Sequence, residues 1–156
     1  MVTHNLAGQI ASVFGLGKIG RAPGTLASAY AAALAYVIQA YFGTFALIVF
    51  TIVCAVLSIW SVETWHKANR HQAVDQSWIV IDEVVGQCLV FWYLFDFAWY
   101  WIVAGFLLFR FFDILKPWPI GWADRRFKNS FGVLFDDVLA GLIAGVIMLG
   151  AQIYVG

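Results

Sequence analysis

Residues 26–62 read LASAYAAALAYVIQAYFGTFALIVFTIVCAVLSIWSV, a run without a single charged side chain. A helix rises about 1.5 Å per residue and the hydrocarbon core of a bilayer is about 30 Å thick, so the run is long enough for two crossings. Gly43-Thr44 breaks it in two. Working outward, hydropathy divides the chain into five apolar segments at 25–41, 45–62, 78–95, 98–115 and 133–155. Asp96 marks the turn between the third and fourth, and Pro117 with Pro119 ends the fourth. Composition agrees: 63% of residues are hydrophobic, 12% are charged and mean hydropathy is +0.84, outside the range of soluble domains. The expected fold class is all-α, a polytopic membrane helical bundle of about five transmembrane helices. Residues 1–156 form one domain, with 1–24 as a cytoplasmic or interfacial lead-in and 25–155 as the bundle.

Basic residues set the orientation. Lys18, Arg21, Lys67, Arg70, Arg110, Lys116, Arg125, Arg126 and Lys128 are all the Lys and Arg present. Five spans put every one on the same side, which the positive-inside rule makes cytoplasmic; four spans would scatter them. The amino terminus is then inside and the carboxyl terminus outside. Tyr41, Trp60, Trp65, Trp99, Tyr100, Trp101, Trp118 and Trp122 fit interfacial aromatic belts. Residues 6–14 read as a short interfacial helix, and no cleavable signal is evident. Cys54 and Cys88 sit in apolar runs without metal-ligand spacing and read as packing residues. His4, His66 and His71 read as surface residues. Net charge is zero and carries no argument about nucleic acid; no nucleic-acid partner is expected.

Four motifs hold much of the remaining charge. They are Gly15-Leu16-Gly17 leading to Ala22-Pro23-Gly24-Thr25, the run from Ile81-Asp82-Glu83 to Gly86, the block from Phe109 through Arg110, Asp113 and Lys116 to Pro119, and the run from Asp136-Asp137 to Gly141. The five-span topology brings all four to one membrane face, with Asp82 and Glu83 about one turn inside the third span and Asp136 and Asp137 at the start of the fifth. Gly86 lies four residues after Asp82 and Gly141 four after Asp137, so each glycine shares its carboxylate's helix face. Gly141 and Gly145 continue a small-residue stripe that lets helices approach closely. An acidic pair at a helix start can merely complement the helix dipole, and Arg110 or Lys116 can be snorkelling anchors. Two acidic pairs plus Asp113 on one face favour a shared centre instead. Oxygen-only ligands suit a hard cation such as Mg²⁺, with Arg110 and Lys116, helped by Lys18 and Arg21 of the lead-in and by Thr25, facing an anionic phosphate. Whether water or a carboxylate would attack phosphorus stays open.

These motifs resemble the phosphatidylglycerophosphatase A family. The resemblance runs over about residues 15–145, and its most specific part is the block Phe-Arg-x-Phe-Asp-x-x-Lys-Pro-x-Pro-Ile at 109–120. It implies a Mg²⁺-dependent, multi-pass enzyme of the bacterial inner membrane that hydrolyses phosphatidylglycerophosphate to phosphatidylglycerol and phosphate at the cytoplasmic face. It carries over Asp82, Glu83, Asp113, Asp136 and Asp137 as the acidic catalytic and metal centre, with Arg110 and Lys116 as basic partners. Asp75, Thr25 and Ser28 also match family positions. Ala27 and Gly20 depart from the family pattern in the first motif, where glycine and proline are usual. Two rivals are weaker. A CDP-alcohol phosphatidyltransferase needs an Asp-Gly-x2-Ala-Arg motif that is absent, and a small ion or proton transporter would place its acids near mid-bilayer. Oligomeric state is not legible.

Overall fold

The computed structural model of the chain describes residues 6–155; His4 lies outside them. Among the described residues the helices are α1 (Leu6–Ala11), α2 (Pro23–Ala68), α3 (Ile81–Phe91), α4 (Trp99–Leu115), α5 (Ile120–Arg126) and α6 (Ser130–Val155), with one 3-10 turn at Leu16–Lys18. The all-α bundle is as expected.

Pro23 opens α2, a position where its missing N–H leaves no bond unmade. The helix is interrupted at Gly43, which adopts φ 78° and ψ 174°, a conformation open essentially only to glycine. Gln39 Nε2 donates to Thr44 Oγ1 across the break at 2.7 Å. The two arms fold back on each other. Gly24 at one end of α2 abuts the Glu83 side chain, while Trp65 near the other end meets Trp78 edge-on at 5.0 Å, so both ends reach the start of α3. Gly43→Ala is expected to destabilise the protein by about 1–3 kcal/mol, seen as a lower thermal midpoint in detergent. A Cβ there meets nothing within 4 Å, so the cost is conformational rather than steric.

The third apolar segment forms regular helix only over Ile81–Phe91, shorter than the expected 78–95. Before it, Val80 donates its N–H to the Ala11 carbonyl at 2.9 Å and Gly17 packs on the Trp78 carbonyl, pinning this stretch to the lead-in. After it, Trp92 and Leu94 close turns onto Leu89 and Phe91. Every residue of α3 except Glu83 is buried, so α3 is apolar because it is the core of the bundle. α6 begins at Ser130, which puts Asp136 and Asp137 in its second turn rather than at its start. The lead-in helix α1 buries Ala7 and Ala11 against Val62 and Trp65, so it is part of the packing rather than a purely interfacial element.

α3 and α6 run side by side through glycine. A Cβ on Gly86 would lie 2.6 Å from the Phe109 ring and 2.7 Å from the Asp137 carbonyl, and one on Gly141 would strike the Gly86 carbonyl. Further along, Gly145 packs on Tyr93 and Val90. The two helices are therefore parallel, with α4 returning between them in sequence. At the far end Gln152 accepts from the Phe95 N–H at 3.0 Å and donates to the Asp96 carbonyl at 2.6 Å, and Asp96 caps Ala98 and Trp101.

Among the described residues two helices, α2 and α6, are long and apolar enough to cross a membrane. Their outer faces carry exposed apolar side chains, among them Ile52, Val53, Val56, Val146 and Ile147, as lipid contact requires. The ends of α2 and α4, the starts of α3 and α6, and all of α5 gather at the opposite end of the bundle from the Gly43 break and Asp96. All nine Lys and Arg lie on or beside the segments at that end.

Candidate active site

Asp82 and Glu83 occupy the first turn of α3, where the exposed amides and the helix dipole favour negative charge. Asp137 comes from the second turn of α6. The Gly86–Gly141 approach lets the two backbones close up, and one carboxylate oxygen from each of Asp82, Glu83 and Asp137 then lies within 4.8 Å of the others. Asp82 is 6% exposed and Asp137 4%. Three like charges this close, two of them on buried residues, repel strongly unless protons or a cation intervene. Asp82 Oδ1, Glu83 Oε2 and the neighbouring Asp136 Oδ1 are buried with no hydrogen-bond partner. Oxygen donors left unsatisfied in this way fit a hard divalent cation, so this cluster can hold one.

The other predicted acids stand beside the trio with cations of their own. Asp113 accepts from Arg110 Nη1 one helical turn away, and Arg110 Nη1 also reaches Ser28 Oγ at 3.4 Å. Ser28 in turn donates to the Gly24 carbonyl at 2.9 Å, tying the Pro-Gly-Thr motif to the centre. Asp136 Oδ2 accepts from Lys116 Nζ. Lys116 caps α4 in the left-handed region at φ 45° and ψ 53°. That turn swings its side chain away from Arg110 and toward α5 and α6. Lys116 also donates to Asp124 Oδ1 at 2.8 Å. Burial alone would lower the Lys116 pKa, but the bonds to Asp124 and Asp136 outweigh it and hold the ammonium well above its ordinary value. The same bond from Lys116 lowers Asp124 below the usual carboxylate range against a smaller opposing effect of burial.

A cavity of about 580 Å³ opens over this group. Asp82, Glu83, Asp113, Lys116, Asp136 and Asp137 line it, together with the 72–77 segment that includes Asp75. Arg110 stands behind the wall residue Asp113 that it pairs with, and Lys18, Arg21 and Thr25 are not on the wall either. Lys18 is exposed and lies over the Trp78 ring at 5.7 Å, Arg21 is exposed and Thr25 half-buried. Among the polar wall residues not foreseen as functional are His66 and Asp124. His66, read as a surface residue, lines the cavity and has a buried Nδ1 without a partner. Asp124 had no signal beyond being an acid four residues before Lys128, because its bond to Lys116 depends on the turn between α4 and α5.

The site sets carboxylates that can hold a cation beside cations that can meet an anion. The family model described as phosphatidylglycerophosphatase A matches residues 9–152. A phosphatidylglycerophosphatase A from Haemophilus influenzae is 38% identical over 140 residues, covering 89% of this chain and 84% of its own. One from Escherichia coli is 33% identical over 137 residues, covering 86% of this chain and 77% of its own. A Bacteroides thetaiotaomicron protein named as a candidate phosphatidylinositol-3-phosphatase is 33% identical over 152 residues, 94% of each chain. No solved structure matches significantly. With the family model matching residues 9–152 and two relatives 33–38% identical over most of both chains, the chain belongs to the phosphatidylglycerophosphatase A family.

Proposed function

We propose that this protein hydrolyses phosphatidylglycerophosphate to phosphatidylglycerol and inorganic phosphate, with Mg²⁺ as its cation, at the cytoplasmic face of a bacterial inner membrane that it crosses about five times. The observation that carries this reading is the trio Asp82, Glu83 and Asp137, with a buried unpartnered oxygen on each of Asp82 and Glu83, in one cavity with Lys116. Mg²⁺ would be held by these three, with Asp136 and Asp113 adjoining. When bound it would supply Lewis-acid polarisation of the phosphoryl group and a more acidic water. Lys116 and Arg110 face the remaining phosphate charge. Arg110 is also held through Nη1 by Asp113 and Ser28. The apolar faces of α2 and α6 leave the acyl chains in lipid while the headgroup enters the cavity. Lys18, Arg21 and Thr25 would act at its approach rather than on its wall.

Arg110→Lys is expected to lower activity by about tenfold or more, because an ammonium keeps the charge but not the planar fork. Steady-state phosphate release with unchanged Mg²⁺ dependence would be the signature. The Bacteroides relative, similar over 94% of both chains, favours a second reading in which the same centre acts on a 3-phosphorylated inositol lipid. Phosphate release from the two lipids, compared in the same detergent, separates them. Faster release from phosphatidylglycerophosphate supports the first reading, and release from the inositol lipid alone overturns it.

A further inference from the structure

Lys116 has two carboxylates for one ammonium. Its Nζ donates to Asp136 Oδ2 inside the acidic centre and to Asp124 Oδ1, at 2.8 Å, outside it. Asp136 keeps its other oxygen buried and unpartnered, and its side chain is 8% exposed against 27% for Asp124. The position of Asp124 is fixed by the fold. α5 buries Ile120 and Ala123, closes onto Pro117 and Pro119 through the Gly121 and Ala123 amides, and rests Gly121 directly on the Lys116 carbonyl. Lys128 Nζ lies 3.5 Å from Asp124 Oδ2, so Asp124 is held from both sides.

We propose that Asp124 is a positioning residue: it is a second seat for the Lys116 ammonium, and by taking that charge it frees Asp136 to face a divalent cation. The inference rests on the cation reading above. While the centre lacks a cation, Lys116 neutralises Asp136. When a cation faces Asp136, two positive charges compete for one carboxylate, and Lys116 is repelled. Asp124 gives it a charged partner at the cavity wall, from which it still faces an incoming phosphate. Without Asp124 the released ammonium would be left half-buried and unpaired, so it would stay on Asp136 and oppose the cation. Groups that orient or balance a metal ligand typically change metal affinity by about 10–100-fold when removed.

Mn²⁺ is a direct probe, followed by electron paramagnetic resonance on the full chain in detergent. Asp124→Asn is expected to weaken Mn²⁺ binding about tenfold, and Asp124→Glu to bind within about threefold of the parent. Adding Lys116→Met to Asp124→Asn removes the trapped ammonium and should return the affinity to about that of the parent, an outcome a purely structural role for Asp124 does not predict. Parent-like binding by Asp124→Asn overturns the inference, as does a double variant as weak as the single one. If the parent binds Mn²⁺ and only these shifts are missing, the inference alone fails. If the folded parent binds no Mn²⁺, the cation reading fails and the inference falls with it.

Discussion

Asp137→Asn is expected to reduce phosphate release by about a thousandfold or more while leaving the bundle folded. Its carboxylate is one of three whose oxygens lie within 4.8 Å, and asparagine keeps its shape while removing its charge. Losing an anionic ligand weakens the cation and the polarisation it supplies, and several kcal/mol of transition-state stabilisation corresponds to about a thousandfold in rate. Stability should move differently. With cation removed by chelator, the parent holds like charges together in a buried site, and neutralising one relieves that repulsion. Chelated Asp137→Asn should therefore unfold at a temperature no lower than the chelated parent. Added Mg²⁺ should raise the parent's midpoint by preferential binding to the folded state and leave the variant's nearly unchanged. An Asp137→Asn protein with parental activity would remove this residue from the centre. Asp82→Asn is expected to behave in the same way.

Gly141→Ala is expected to destabilise the protein by about 2–3 kcal/mol and to lower activity more than tenfold. A Cβ at Gly141 strikes the Gly86 carbonyl, and the nearby Gly86 carbonyl carbon and Cα would lie at 3.0 and 3.1 Å. These are backbone atoms of a buried helix and cannot rotate away, so α3 and α6 must separate. Asp82 and Glu83 ride on one of those helices and Asp137 on the other. A shift of even 1 Å between them spoils the geometry that brings the three oxygens together. Gly150→Ala on the same helix is the control, because its Cβ meets nothing within 4 Å. It should be neutral or slightly stabilising. Equal stability and activity in both variants, measured by thermal unfolding and phosphate release in detergent, would contradict the role given to the glycine contact.

The sequence made the Gly43 break legible, because a glycine in an uncharged run is one of the few local interruptions a long helix permits. It also made the acidic trio legible, since carboxylates beside glycines on neighbouring helices point to close approach. The limits of α3 were hidden. Hydropathy reports that Ile81–Phe91 is apolar but not whether protein or lipid covers it, and here protein does. Asp113 and Asp136 read like the trio but are engaged by Arg110 and Lys116, a distinction that depends on side-chain partners. The chain turns into the left-handed region at Lys116, and Asp124 became visible only through that turn. Lys18 and Arg21 carried charge near the site in sequence, yet the cavity wall is built by the end of α2 and the loop after it, by α3, by the end of α4, by α5 and the turn after it, and by α6.

The most direct test of the central claim is phosphate release from phosphatidylglycerophosphate by the purified, folded protein in detergent, before chelation, after chelation and after Mg²⁺ is restored. Release that stops with chelator and returns with Mg²⁺ is the predicted result. Release that continues unchanged in chelator, or no release with Mg²⁺ present, would contradict it.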